Sequence, residues 1–255
     1  MRKFEFEIPH MFPIFPLLAV CFWLMPLPAL AQAQPEAPRT CRLLFVGVPK
    51  EVPAKLFLFD GTNVHPVEAG RMSFSPVYRL PAGHIRIALL SSPPPIPAAG
   101  QLASEIPNLA PSAAIPESTT DFYLFLSSDP TNPVLPLKIQ VVNAGMTEFS
   151  QGSMLWFNLT ENTVGGILGS KKLRIAPHSR IILEPPTANS EDYYVNVHYV
   201  RPGENHSEPL CETRWQHDPR SRTVFFVLKD SSRASPRILG ISDFRTEEEA
   251  VAPAP

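Results

Sequence analysis

His206, Cys211, His217 and Asp218 stand close together in the chain and are residue types that zinc and copper take as ligands. A metal centre needs their side chains to converge. Residues 211–217 read as one extended segment, in which Cys211 and His217 end about 20 Å apart. His206 sits in a polar Gly/Asn/Ser turn at 203–207. No metal site and no cofactor is therefore expected. A serine hydrolase needs a nucleophile on a tight elbow such as G-x-S-x-G, and the chain has none. Gly152-Ser153 and Gly169-Ser170 are isolated pairs that turn chemistry explains, and no Cys-His signature of a thiol protease occurs.

Glu191 and Asp192 are paired acids, but adjacent residues of an extended chain point to opposite sides, whereas a glycosidase needs two carboxylates facing one cleft. The densest polar stretch is 214–222 (RWQHDPRSR). Arg214, Arg220 and Arg222 are the candidate binding residues, able to meet a carboxylate or phosphate group. The plainer expectation is a sheet edge and its turn, with Trp215 inward and Arg220 and Arg222 outward as charges that block edge-to-edge pairing. No residue is assigned a catalytic role. Asn158-Leu159-Thr160 and Asn205-His206-Ser207 match N-glycosylation sequons, which matter only in a eukaryotic secretory host.

The elements that would position these residues are strands. Short apolar or alternating runs recur at 42–48 (RLLFVGV), 55–60, 77–80, 84–90, 121–126, 137–143, 154–160, 172–175, 180–183, 193–200, 211–217, 223–228 and 237–244, separated by turn signals such as Asp60-Gly61 and Pro81-Ala82-Gly83. In 193–200, Tyr193, Val195, Val197 and Tyr199 share one face. The run 223–228 (TVFFVL) has no polar break and is expected in the middle of a sheet. No long window shows a 3.6-residue apolar period. The expected class is all-β, a β-sandwich.

The chain's two halves follow a similar order. LFLFDG (56–61) parallels MLWFNLT (154–160), YRLPAGHIRIALL (78–90) parallels LRIAPHSRIILEP (173–185), and DFYLFLSSDP (121–130) parallels TVFFVLKDSS (223–232). This pattern predicts a duplication into two tandem Ig-like units at 40–130 and 137–245, with the junction at 129–136; convergence of short strands is the alternative. Proline numbers 31 of 255 residues, a load that must fall on loops and strand ends. Residues 92–118, with seven prolines, are expected to form a long irregular loop. The tail 246–255 (TEEEAVAPAP) is expected to be disordered.

The first 33 residues read as an export signal. Arg2 and Lys3 supply the positive start, 17–25 (LLAVCFWLM) the apolar run, and Ala29-Leu30-Ala31 or Ala31-Gln32-Ala33 the cleavage site. An uncleaved anchor is disfavoured by Pro13, Pro16, Pro26 and Pro28, and lipid attachment at Cys21 by the Val20 before it. No later stretch is long and apolar enough to span a bilayer as a helix. The expected location is extracytoplasmic, periplasmic or secreted. Cys41 and Cys211 then lie in an oxidising compartment, where a disulfide between them would close a loop of about 170 residues; two buried thiols are the alternative. The formal net charge of −2, with 18% charged residues, leaves no basic face for nucleic acid.

Gly152 to Thr160 (GSMLWFNLT), then Gly169 and Leu173-Arg174-Ile175-Ala176-Pro177, resemble a segment of uncharacterised secreted bacterial proteins that runs G-S-Y-x-F-x-N-L-T, a short loop with a Gly, then L-x-P-G before a strand. The likeness spans mainly 137–244. His178 stands where that pattern favours glycine. The resemblance implies an exported β-sandwich-type protein and brings no activity with it. The functional expectation is a non-enzymatic binding or structural module of the cell envelope, with an envelope protein or glycan as its partner. The alternative is a secreted hydrolase of unrecognised type.

Overall fold

The computed structural model describes residues 39–47, 53, 55–68, 70–94, 109–230 and 232–244. The expected export signal, the tail from Thr246 and residues 95–108 of the proline-rich stretch lie outside them. Every regular element among the described residues is a strand, and no helix there is long and apolar enough to cross a membrane.

The first eight strands are β1 (Arg39–Phe45), β2 (Phe57–Phe59), β3 (Val64–Pro66), β4 (Tyr78–Leu80), β5 (Ile85–Leu90), β6 (Ser112–Ile115), β7 (Asp121–Ser128) and β8 (Leu137–Asn143). The next eight are β9 (Met154–Asn158), β10 (Thr163–Leu168), β11 (Lys171–Ile175), β12 (Arg180–Leu183), β13 (Asp192–Val200), β14 (Glu208–Gln216), β15 (Ser221–Leu228) and β16 (Arg237–Phe244). They form four sheets of four strands, ordered β4-β1-β7-β8, β3-β2-β5-β6, β12-β9-β15-β16 and β11-β10-β13-β14. Adding eight to each strand number of the first half gives the sheets of the second. The pairing sense repeats as well. β1 runs parallel to β7 and β9 parallel to β15, and every other pairing in both halves is antiparallel. The protein is two tandem sandwich units of one topology.

Side-chain parity explains why the central strands lack polar breaks. On β7, Phe122, Leu124 and Leu126 enter the core of the first sandwich, beside Cys41, Leu43 and Ile87. Tyr123 and Phe125 point the other way, into a second cluster with Leu44, Leu155, Phe157, Val224 and Phe226. On β15 and β9, Phe225, Val227, Met154 and Trp156 turn into a third core with Val195, Val197 and Tyr199. The sheets β4-β1-β7-β8 and β12-β9-β15-β16 therefore pack on each other through their outer faces. Each is buried on both sides, which is the condition for an unbroken apolar run. The face that Tyr193, Val195, Val197 and Tyr199 share on β13 is the inward one, and all four are buried.

Four details differ from the sequence expectation. β8 pairs with β7 along its whole length, so 137–143 completes the first sandwich and the division falls between Asn143 and Met154. Of the three internal parallels, β7 with β15 holds, while the other two are displaced by one strand: β9 answers β1, and the β12–β13 pair answers β4–β5. Residues 112–115 form a strand inside the expected loop, pairing with β5. Finally, Cys41 and Cys211 form no disulfide. Cys41 lies in the core of the first sandwich and Cys211 packs against that of the second, with the inter-half cluster between those cores.

Candidate functional site

β14 and β16 are edge strands of the two sheets of the second sandwich, and they flank the same open side. Between them lies a trough. Its middle, about 550 Å³, is lined by Leu210, Cys211, Trp215, Phe225, Ile238 and Gly240. It continues through Arg233, Ser235 and Pro236 into a cavity of about 320 Å³ that adds Arg201, Lys229 and Asp230. At the other end, past Trp215 and Gly240, it continues into one of about 230 Å³ with Tyr193, His217, Ser242 and Phe244.

Aromatic rings form the floor. Trp215 stacks on Phe225 with centroids 5.0 Å apart, and Phe225 stacks on the fully buried Trp156 at 4.4 Å. Such offset stacks add roughly 0.5–1.5 kcal/mol per pair beyond burial. Gly240 makes the stack possible, because a Cβ there would come within 2.7 Å of the Phe225 ring. Burial pushes the Tyr193 hydroxyl up to about 12 and raises the Cys211 thiol, so both stay neutral at physiological pH. His217 is 6% exposed and its Nε2 has no hydrogen-bond partner. Burial pulls its pKa down, so the ring is held neutral against the pull of Asp218.

The ends of the trough differ in charge. At one end, Arg220 grips Asp218 through Nε and Nη2 at 3.0 and 2.9 Å, and these hydrogen bonds bring the carboxyl down to about 2. At the other, Lys229, Arg233 and Arg237 form no salt bridge among the described residues. Asp230 lies near the two arginines, and hydrogen bonds from Ser232, with help from those charges, lower its pKa. Glu161 is engaged by His178 at 2.9 Å. Arg201, which also lines this end, is held by Glu208, so the cations without a salt bridge there, among the described residues, are Lys229, Arg233 and Arg237, with Asp230 as the carboxylate beside Arg233 and Arg237.

The three arginines singled out in the sequence do not converge. Arg214 projects from the exposed face of β14, and Arg220 stays in its own turn. Arg222 was expected outside as a guarding charge. It is 2% exposed and lies between the two sandwiches. There it donates to Asp243, to the Ala144 carbonyl at 2.5 Å and to the Phe149 carbonyl at 3.1 Å. The parity of β15 turns residue 222 to the side of Val224 and Phe226, which is the inter-half face. Trp215 does turn inward, as expected.

His206 and His217 flank opposite ends of β14, so the metal-type residues do not gather around Cys211. His206 instead joins Glu204 and Glu208, whose ligand-type atoms lie within 4.8 Å of one another. Arg201 already occupies this ring, 2.9 Å from Glu208. Glu191 accepts hydrogen bonds from Thr187 and Asn189 in its turn, and Asp192 opens β13. Gly152 and Gly169 have φ of 76° and 57°, the left-handed backbone that glycine suits in turns.

Asn158 is fully buried. Its Nδ2 donates to the carbonyls of Asn162 and Ala176, and its Oδ1 accepts from the Thr160 backbone and hydroxyl. One side chain thus ties the β9–β10 turn to the β11–β12 turn, so N-L-T here is a structural staple.

The trough is the feature that sequence reasoning missed. Its signals were a glycine in the middle of a strand pattern, Gly240, and an eight-residue strand without lysine or proline, RILGISDF.

No protein-family profile matches the chain, and no curated protein does. Among solved structures, the chain is similar to a protein of Bacteroides eggerthii described as a "putative cell adhesion protein". The two share 7% identity, the match covers 82% of this chain and 96% of the other, and the TM-score is 0.23, a likeness too distant to bear on function.

Proposed function

We propose that this chain is an exported, non-enzymatic binding module of the cell envelope, and that the trough between β14 and β16 is where it meets its partner. The observation that carries this reading is the trough itself: a stacked aromatic floor, left open between two sheet edges, with Lys229, Arg233 and Arg237 at one end forming no salt bridge among the described residues. A sandwich that served only as a spacer would gain by filling this seam with side chains. Rigid sandwiches commonly carry recognition at their edges and loops. The export pattern of the first 33 residues supports an envelope location, and the net charge of −2 argues against nucleic acid as partner.

The test is co-sedimentation of the exported protein with isolated cell envelopes of its own host. Intact mass first checks whether the exported chain begins at Gln32 or Gln34, as expected for a cleaved signal. Saturable binding is expected, weakened about tenfold by the double change Arg233→Glu and Arg237→Glu, as for loss of a few desolvated charge contacts. Absence of saturable binding, or binding indifferent to that change, would sink the reading.

A further inference from the structure

The trough's two edge strands are not equally guarded. β14 carries Pro209 and lies against an irregularity at Val197/His198, both of which interrupt a regular edge. β11, the opposite edge of the same sheet, carries Lys171, Lys172 and Arg174. β3 and β4 are only three residues long. β16 has none of these devices. It pairs with β15 residue for residue from Arg237 to Phe244 without a bulge, and its charges stand only near its ends. Its other edge has no partner strand among the described residues. Long, regular, unguarded edges invite pairing with another chain, and proteins that do not use them blunt them.

We propose that the trough takes an extended peptide, which pairs as an added strand along β16 and places a carboxylate among Lys229, Arg233 and Arg237. This rests on the trough being the binding site. Ile238, Gly240, Ser242 and Phe244 line the trough at two-residue spacing, so an added strand would direct alternate side chains into it. The place opposite Gly240 lies over the Phe225–Trp215 stack and suits a β-branched or aromatic side chain. The excess of cations near Arg237 selects an acidic terminus or an Asp/Glu at that end of the ligand. Main-chain pairing supplies affinity, and the alternate pockets and the charge supply selection.

The probes are an acetylated octapeptide that alternates valine with threonine and ends in two glutamates, the same peptide ending in two lysines, and a neutral N-acetylglucosamine tetramer. They are titrated into the exported protein and followed by tryptophan fluorescence and by amide hydrogen exchange. The acidic peptide is expected to bind with a Kd on the order of micromolar and to slow exchange at 238–244, and the lysine peptide about tenfold more weakly. Arg233→Glu with Arg237→Glu, at exposed positions that leave the core intact, reverses the preference. Equal binding of both peptides, or no slowing of exchange along β16, overturns the proposal. Binding of the tetramer with both peptides silent overturns the peptide class while the trough survives as a site. If the envelopes also fail to bind, the trough reading falls with it.

Discussion

Arg222 on β15 and Asp243 on β16 meet at 2.8 Å in the layer between the two sandwiches, both almost fully excluded from water. Asp243 also accepts hydrogen bonds from Arg42 and from the Tyr123 hydroxyl, both of the first half. Arg222 further lies 3.5 Å from Asp121 and packs against the rings of Tyr123 and Phe149. The Asp243 carboxylate thus joins groups from both halves inside a contact built mainly of apolar side chains. Removing it leaves Arg42 without its salt bridge and Arg222 with Asp121 at 3.5 Å and two backbone carbonyls, so the loss approaches, as an upper bound, the roughly 3–5 kcal/mol of a broken buried pair. Asp243→Ala is therefore expected to lower stability by that order in chemical denaturation. Arg222→Met combined with Asp243→Ala is expected to cost less than the sum of the single changes, by about 1–3 kcal/mol. Strict additivity would show that the two side chains act independently.

The same layer shows what was legible in the sequence. TVFFVL at 223–228 and DFYLFLSS at 121–128 carry large apolar residues at both parities, and that pattern alone places them mid-sheet. The repeated style of the halves was visible, but its register was not. Short apolar strands resemble one another, so β9 looks like β2 in sequence, and only the pairing reveals β1 as its counterpart. β3, β6 and β10 escaped notice for local reasons: a closing proline, a proline-rich setting, and the Gly165-Gly166 pair inside a strand. Gly166 is required there because a Cβ would meet the Asn196 carbonyl at 2.1 Å. The candidate site was less legible than the fold. Arg222 looked like a surface charge because a polar residue at a strand's start gives no sign of a second domain lying against it. The trough depends on which strands end up at edges, and that is a property of the topology.

Cys41 and Cys211 bear on the redox chemistry of an exported protein. Cys41 is fully buried, and Cys211 is half-buried with its thiol raised by burial. The nucleophilic thiolate is therefore scarce at Cys211 near neutral pH. In denaturant without reductant, both residues are expected to take up an alkylating agent, each adding one label by mass. In the native protein Cys211 should react slowly and Cys41 more slowly still. Uptake that appears only after reduction would restore the disulfide and contradict the separation of the two cores.

His178 occupies the turn between β11 and β12 with φ at 52°. Residues with a Cβ resist this region by roughly 1–2 kcal/mol, so a non-glycine residue such as His178 is strained here. Its exposed imidazole reaches Glu161 at 2.9 Å, a surface pair of small value. His178→Gly is expected to raise stability by up to about 1 kcal/mol, the relief of strain being offset in part by the freedom glycine gains in the unfolded chain. His178→Val, β-branched at positive φ, should lower it. Thermal unfolding of the two variants checks both signs, and a destabilised glycine variant would mean that the Glu161 contact outweighs the strain.

His217 and Asp218 are neighbours whose pKa values both fall, with different consequences for stability. Burial lowers His217 from its ordinary 6.5, so the folded state holds the ring neutral while the unfolded chain protonates it. Above about pH 6.5 the ring is neutral in both states and contributes no pH dependence. As pH falls below that value the unfolded state binds the extra proton, and stability declines until the folded pKa is reached. Asp218 drops from 3.8 to about 2, chiefly through its hydrogen bonds from Arg220. Its contribution is present above about pH 4 and is lost between there and pH 2. Hydrogen bonds from Thr131 and Ser232 also lower Asp129 and Asp230, and both add to this second stage. Acidification is thus expected to weaken the fold in two steps. Denaturation midpoints measured from pH 8 to pH 2 should show the first step in the parent protein and lose it in His217→Gln, while Asp218→Asn should reduce the second and, by removing the charge that draws the His217 pKa back up, deepen the first. A first step that persists in His217→Gln would assign it to another group.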